Sequence, residues 1–433
     1  MIKRFLLSRK TVITLIVLLL LFVLISYIIP QRFNSSNLEI NRWLSEHPYL
    51  SPAVERLGLD HVYTTPWFAG VLALFLLSLF FSSYEQVRMA LKKTFQTGVA
   101  SGVLSHEVRN NEKNINSILV GSGYRRIRGN RSIKRFVKHP WGYWGGALFH
   151  LGLSISILAS LVVVLTEKRG LVYLVEGEAF QPGKRWDLVS TGLLGGELKL
   201  PFTVLMKRVK PEFWDTDDLK QVTTEIRLIG DNGAFTDASI AINNTMNYKG
   251  FKIYQGKVFG HAFFVEFQEE GGGGFKTMLL MKIPPKRNMP SYEDFSPPDF
   301  PYVVQAKYFT DVSRAVMDGP NPELTLRLLK GREILGKTTL TVGQEGTLGN
   351  YRIRLFDVRR WASIIFVKSN GMSGVFLGFF VIILGGIFYY FTPPREIYVK
   401  PVEDGIFVLT WRCSRFRDEY VEEFDMIKER FEI

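Results

Sequence analysis

Residues 139–165 read HPWGYWGGALFHLGLSISILASLVVVL. No charged side chain stands between Lys138 and Glu167. At roughly 1.5 Å of rise per residue, a helix of this length crosses a hydrocarbon core of about 30 Å. His150 is out of keeping with such a run, because hydrocarbon offers an imidazole no hydrogen-bond partner; a histidine at that depth faces protein or a ligand. On one continuous helix through 142–165, Gly142, Gly146, His150 and Ser154 fall four apart and share a face. That face is small and weakly polar, and leucine, isoleucine and valine cover the rest. Two readings stay open. Either the glycines let a flat ligand approach the imidazole, or His150 hydrogen-bonds a neighbour and holds two helices together.

The 433 residues are 46% hydrophobic, and the apolar residues are concentrated in four charge-free runs, about 11–29, 67–83, 142–165 and 372–391. The expected fold is a polytopic α-helical membrane protein with four transmembrane helices and a large extracytoplasmic antiparallel β domain. Residues 1–165 hold three spans and the basic loop 84–141, within which 111–127 reads as a short helix and a strand. Residues 166–370 form the β domain, and 371–433 hold the fourth span and a tail. The first run follows MIKRFLLSRK and meets Pro30-Gln31-Arg32 without a small-residue cleavage site, so it reads as a retained span. Lysine and arginine crowd the first ten residues and 88–138, which places both on the cytoplasmic side of the membrane and 166–370 outside. Topology accounts for the charge of the loop. No nucleic-acid partner is expected, and contact with anionic membrane lipid is compatible with the same charge.

Cys413, the single cysteine, lies in the tail. The β domain is therefore without disulfides, and the chain has neither thiol-redox chemistry nor a C-x-x-C-H of its own for covalent haem. Within 166–370 the period changes to two: Leu324, Leu326 and Leu328 alternate with Thr325 and Arg327, and Phe263, Val265 and Phe267 with Phe264, Glu266 and Gln268. Asp231-Asn232-Gly233 reads as a hairpin turn, and Gly271 to Gly274 as another turn or a flexible tip. The proline-rich stretch 284–301 reads as irregular loop. The tail ends in RDEYVEEFDMIKERFEI, expected as a solvated helix, with an amphipathic partner helix as the alternative. No G-x-S-x-G or H-E-x-x-H motif is present, so no catalytic residues are assigned and enzymatic activity by the chain alone is not expected. His47 and His61 read as solvated loop histidines; His261 stands alone in the β domain.

Three motifs resemble the ResB (CcsB-type) family of System II cytochrome c biogenesis. They are Trp144-Gly145 through Phe149-His150-Leu151-Gly152; INNTMNYKGFKIYQGKVFG at 242–260, through Asn244, Tyr248, Gly250, Tyr254 and Gln255; and Arg395-Glu396-Ile397-Tyr398-Val399 after the last span. Thr245-Met246 and Asn370-Gly371 depart from the family pattern. The resemblance implies a cytochrome c assembly factor of the bacterial inner membrane. With a tryptophan-rich CcsA-type membrane subunit, it would move haem b, held transiently and non-covalently, across the membrane to the C-x-x-C-H of apocytochrome c, as part of a haem-lyase complex. By the same resemblance His150 is an axial ligand of the haem iron; the helical face shared by the three then turns Gly146 and Ser154 toward the haem. A single imidazole leaves the other axial position to the partner. The motif at 242–260 serves as packing and turn, with Gly250 as the bend and Tyr254 and Gln255 pairing backbone groups, or it receives the apocytochrome. The alternative is a membrane-anchored receptor or scaffold whose outer β domain binds a partner.

Overall fold

Four helices are long and apolar enough to cross a membrane: Arg9–Ile28, Pro66–Phe95, Gly145–Thr166 and Met372–Phe391. The computed structural model describes every residue except 1, 33–34, 36, 96–103, 131–132, 270–271, 298–299, 332 and 433. Gly271, in the second glycine turn expected from the sequence, and part of the basic segment 84–141 lie outside the described residues. The chain forms two units. One contains residues 1–23, 66–164 and 370–433, and the other contains 24–65 and 165–369.

In the first unit, two boundaries differ from the hydropathy reading. The second helix does not stop near residue 83 but continues to Phe95. Charge ends an apolar run, not a helix: about twenty residues span the hydrocarbon, and the last turns extend past it. The third helix begins at Gly145, because His139 sits at φ 54° and Pro140 opens a short 3-10 turn to Tyr143. Gly142 is therefore not on the helical face of His150; a Cβ there would come within 1.8 Å of the Thr392 carbonyl oxygen.

The basic segment is more than a loop, with the helix and strand read at 111–127 as part of a domain, and the tail helix is solvated on one face only, its other face burying Phe424 and Ile427. Together they build an antiparallel sheet in the order Leu104–Arg109, Ile406–Cys413, Arg395–Glu403, Ile133–Lys138, Arg125–Asn130. Helices Glu112–Gly121 and Arg417–Glu432 cover it. Asn111 caps the first of these by accepting from the Lys113 amide. Ile115, Leu119, Phe136, Leu409, Trp411 and Phe424 are fully buried in the shared core. Neither piece carries enough apolar surface alone; their pairing, from opposite ends of the chain, supplies it.

The second unit is the antiparallel β domain. Strands Phe251–Glu269 and Tyr351–Lys368 pair along most of their length and run through two cores. Phe251, Ile253, Ile364 and Phe366 pack against the sheet that contains Thr203–Phe213, Leu219–Ile229 and Phe235–Ala241. Phe263, Val265, Phe267 and Ile353 pack against Ser291–Phe295, Val303–Phe309, Glu323–Lys330 and Glu333–Leu340. Between the two halves the register slips from Gln255 to Phe259, where Gly256 passes so close to Ser363 that a Cβ would lie 2.1 Å from its Oγ. The alternation at 324–328 is buried as read from the sequence, and 230–234 is the hairpin turn, with Gly233 at φ 77°. The stretch 284–301 differs: it contains the strand Ser291–Phe295, which lies between its prolines. Residues 30–65 fold into helices Asn37–Glu46 and Ser51–Leu57 and the 3-10 turn Leu59–Thr64.

Candidate functional site: an intramembrane histidine with one open nitrogen

The third helix has two occupied faces. Gly145 and Gly152 meet the backbone of the fourth helix: a Cβ on either would lie 2.6 Å from Tyr389 N or Ile382 N. The fourth helix answers with Gly378 and Gly385, whose Cβ atoms would strike Ser156 Oγ at 2.1 Å and Phe149 N at 2.5 Å. These are the close contacts that small residues permit between membrane helices. The glycines that allow close approach are thus used by a neighbouring helix, and they are not the ones on the histidine face. Gly386 faces open space.

Gly146, His150 and Ser154 do share a face, and it turns to the second helix. Ser154 Oγ lies 2.8 Å from Ser83 Oγ, and Ser82 Oγ lies 3.3 Å from His150 Nδ1. A Cβ on Gly146 would contact the Gln86 amide oxygen at 3.3 Å. Ser154 Oγ also donates to the His150 carbonyl. His150 is half-buried, and among the described residues its Nε2 makes no hydrogen bond. When Nδ1–H donates to Ser82, the lone pair stays on Nε2, which is the form an imidazole needs to ligate a metal. One ligating nitrogen at the edge of the helix pair suits a single axial contact to a flat iron macrocycle. Among the described residues no group of three or more histidine, cysteine, aspartate or glutamate side chains could hold a bare metal ion.

The other histidines are differently placed. His47 is exposed and stacks on Trp43 at 4.3 Å. His61 is not simply solvated: Nδ1 lies 2.6 Å from Asp60 Oδ1, and Asp60 also pairs with Arg32, closing the 30–65 segment. Burial works to raise the Asp60 carboxyl, but the bonds from His61 and Arg32 outweigh it and hold it below the usual range. His261 is enclosed in the β domain with Nδ1 3.3 Å from the Tyr308 hydroxyl.

The motif at 242–260 forms a hairpin in which Tyr248 pairs with Phe251 across Lys249-Gly250, both at positive φ. Gly250 is the bend, as read. Gln255 does pair with backbone, donating to the Gly256 carbonyl; Tyr254 instead lies beneath the Lys252 ammonium at 5.2 Å.

A polar cluster escaped the sequence reading. Glu396, 7% exposed, accepts from the hydroxyls of Tyr143 and Tyr398 and pairs with Arg135 at 3.2 Å. Arg135 also donates to the Lys93 carbonyl at 2.7 Å, which joins the sheet to the end of the second helix. Burial and the Glu396 carboxylate push the Tyr143 phenol up, and burial with the Glu396 bond pushes Tyr398 to about 12. Both phenols therefore stay protonated donors, and Glu396 stays a filled acceptor. The Arg395–Val399 motif contributes two members of this cluster. A signal existed in the alternation of charge and aromatic residues there, but the partners came from distant segments.

The profile of the ResB-like family matches residues 9–348. Three similar relatives are each named "Cytochrome c biogenesis protein CcsB". The protein from Trichormus variabilis is 24% identical over 264 residues, covering 57% of this chain and 56% of the relative. That from a Synechococcus species is 25% identical over 215 residues, covering 47% of each. That from Paulinella chromatophora is 21% identical over 429 residues, covering 91% of this chain and 88% of the relative. The chain thus spans about half the length of the first two. With a match across more than three quarters of its length, the chain belongs to the ResB-like family.

Proposed function

We propose that this chain is a cytochrome c assembly factor. With a tryptophan-rich CcsA-type partner it holds haem in the membrane and passes it across for attachment to the C-x-x-C-H of apocytochrome c. Haem is the cargo and His150 its axial ligand from this chain. The carrying observation is the half-buried imidazole on a membrane helix, anchored through Nδ1 to Ser82 with Nε2 open. The names of the relatives support the pathway, and the family match supports the carry-over to this chain. Ser82 orients the ring, Gly146 keeps its flank low, and the second and third helices exclude water from the ring edge they cover. The second axial position falls to the partner.

In this reading the N-terminus and the small sheet domain face the cytoplasm and the β domain faces outward, as the distribution of lysine and arginine favours. His150 lies five residues inside the helix that starts at Gly145, roughly 8 Å of rise, which keeps it near the cytoplasmic face where haem is made. Purifying the chain with its partner and recording the absorption spectrum tests the function: a Soret band with six-coordinate character is expected, and a haem-free complex in a strain that matures cytochromes would falsify it. A reporter inserted after Ser313 is expected to be active only as an exported reporter; cytoplasmic activity there contradicts the topology.

A further inference from the structure

The seam between the second and third helices does not end at His150. Ser82 meets His150 and Gln86 meets Gly146. One turn further along the second helix lies a cavity of about 410 Å³ whose lining includes Met89, Lys92, Lys93, Arg135, Tyr143, Glu396 and Arg412. The spacing places it on the same face. On the unbroken second helix Ser82, Gln86, Met89 and Lys93 follow steps of four, three and four, so that Met89 stands seven residues past Ser82. Seven residues are roughly 10 Å along the axis, comparable to the reach from a porphyrin's metal to its propionate edge.

The cavity has an excess of positive charge. Its one carboxylate, Glu396, is already filled by Tyr143, Tyr398 and Arg135. Lys92, Lys93 and Arg412 are exposed, and none of the three makes an ion pair or donates a side-chain hydrogen bond among the described residues. Arg135 is bound in place by the Lys93 carbonyl and by Tyr143, so it acts as framework, leaving those three cations to meet a ligand. Three unmatched cations around an occupied carboxylate suit a ligand with two negative charges, and their position at the end of the histidine seam says which.

We infer that this cavity receives the propionate carboxylates of the haem whose iron His150 ligates, with Lys92, Lys93 and Arg412 as the pairing cations. The inference rests on the haem reading of His150. It makes the chain a two-point reader of haem, with one contact to the metal and a second to the acidic edge, and it fixes the rotation of the macrocycle about the iron–nitrogen bond.

The test compares haem with its dimethyl ester, in which both propionates are neutral. The purified full chain is titrated with each, following the Soret band, as wild type and as Lys92→Gln/Lys93→Gln/Arg412→Gln. Wild type is expected to bind haem about tenfold more tightly than the ester, the scale of a few solvent-facing charge pairs. The variant is expected to lose that preference while its affinity for the ester and its Soret position stay unchanged, which also shows that it is folded. An unchanged preference in the variant overturns the inference, as does a wild type that does not distinguish the two. If the substitutions instead change only the binding of vesicles containing phosphatidylglycerol, the cations serve lipid phosphates and the inference is again overturned. Failure of the His150 reading has a separate signature, since His150→Ala would then bind both porphyrins with an unaltered spectrum.

Discussion

The membrane bundle and the β domain each contain a histidine whose Nδ1 lies 3.3 Å from a hydroxyl, Ser82 for His150 and Tyr308 for His261. The bond is the same, and the surroundings separate the two. His261 is 6% exposed and lies among Phe263 and Tyr308, whose rings sit 6.3 and 5.7 Å from it. His150 is half-buried at the edge of a helix pair. The ring of His261 is enclosed on every side, whereas His150 is only half covered and its Nε2 makes no hydrogen bond among the described residues. The difference lies in the second nitrogen, and that is the atom on which the proposal for His150 rests.

The largest effect is expected where the third helix is closed. Gly378→Leu forces a side chain into the Gly152 carbonyl and Ser156, atoms that cannot move without parting the helices. The cost is ~3 kcal/mol or more. Loss of the protease-resistant bundle in detergent is the expected readout; a stable bundle would place the helix contact elsewhere. Gly386→Leu, which faces open space, is the matched control and is expected to be silent.

The next effect belongs to His261. Burial, with the Arg360 charge beside it, lowers its pKa to about 3, against an ordinary value near 6.5 in the unfolded chain. Above pH 6.5 both states are neutral and the contribution is fully present. Between pH 6.5 and about 3 the unfolded chain takes up a proton that the folded domain refuses. Stability then falls by at most about 1.4 kcal/mol per pH unit. His261→Gln is expected to flatten this acid limb, measured by hydrogen exchange of Phe251–Glu269 at pH 7 and 4.5. An identical slope in wild type and variant contradicts the assignment.

The smallest effect is expected at Ser82. Ser82→Ala removes the partner of Nδ1 and leaves the ring free to turn or exchange tautomers. Loss of one such bond is about 1 kcal/mol, or roughly fivefold in haem affinity, with the Soret position retained. Ser83→Ala, which touches Ser154 and not the ring, is expected to change affinity less. Equal losses in the two variants would mean that helix packing, and not the imidazole, is being read.

Period and punctuation made much of this legible. Leu324, Leu326 and Leu328 gave their inward face by alternation, Asp231-Asn232-Gly233 gave its turn, and the four apolar runs gave the long helices. Gly142 was misplaced because four-residue spacing presumes an unbroken helix, and Pro140, two residues earlier, is where it breaks. The small sheet domain was hidden for a different reason. Leu104–Arg109 and Ile406–Cys413 are each too short and mixed to read as a domain, and only their pairing buries Val108 and Trp411. For the site, His150 stood out as polar in an apolar run. Its partner did not, since Ser82 looked like the polar end of a span until the bundle turned it inward.

The central claim is that the open nitrogen of His150 ligates haem. His150→Ala, purified with the partner subunit and examined by absorption spectroscopy, tests it most directly. The account predicts a complex that assembles without its Soret band, cytochrome c maturation lost in cells, and partial return of haem when free imidazole is added or when the substitution is His150→Cys, since each supplies an axial ligand. A complex that keeps its haem and its maturation activity after His150→Ala, or one in which His150→Gln serves as well as histidine, would contradict it.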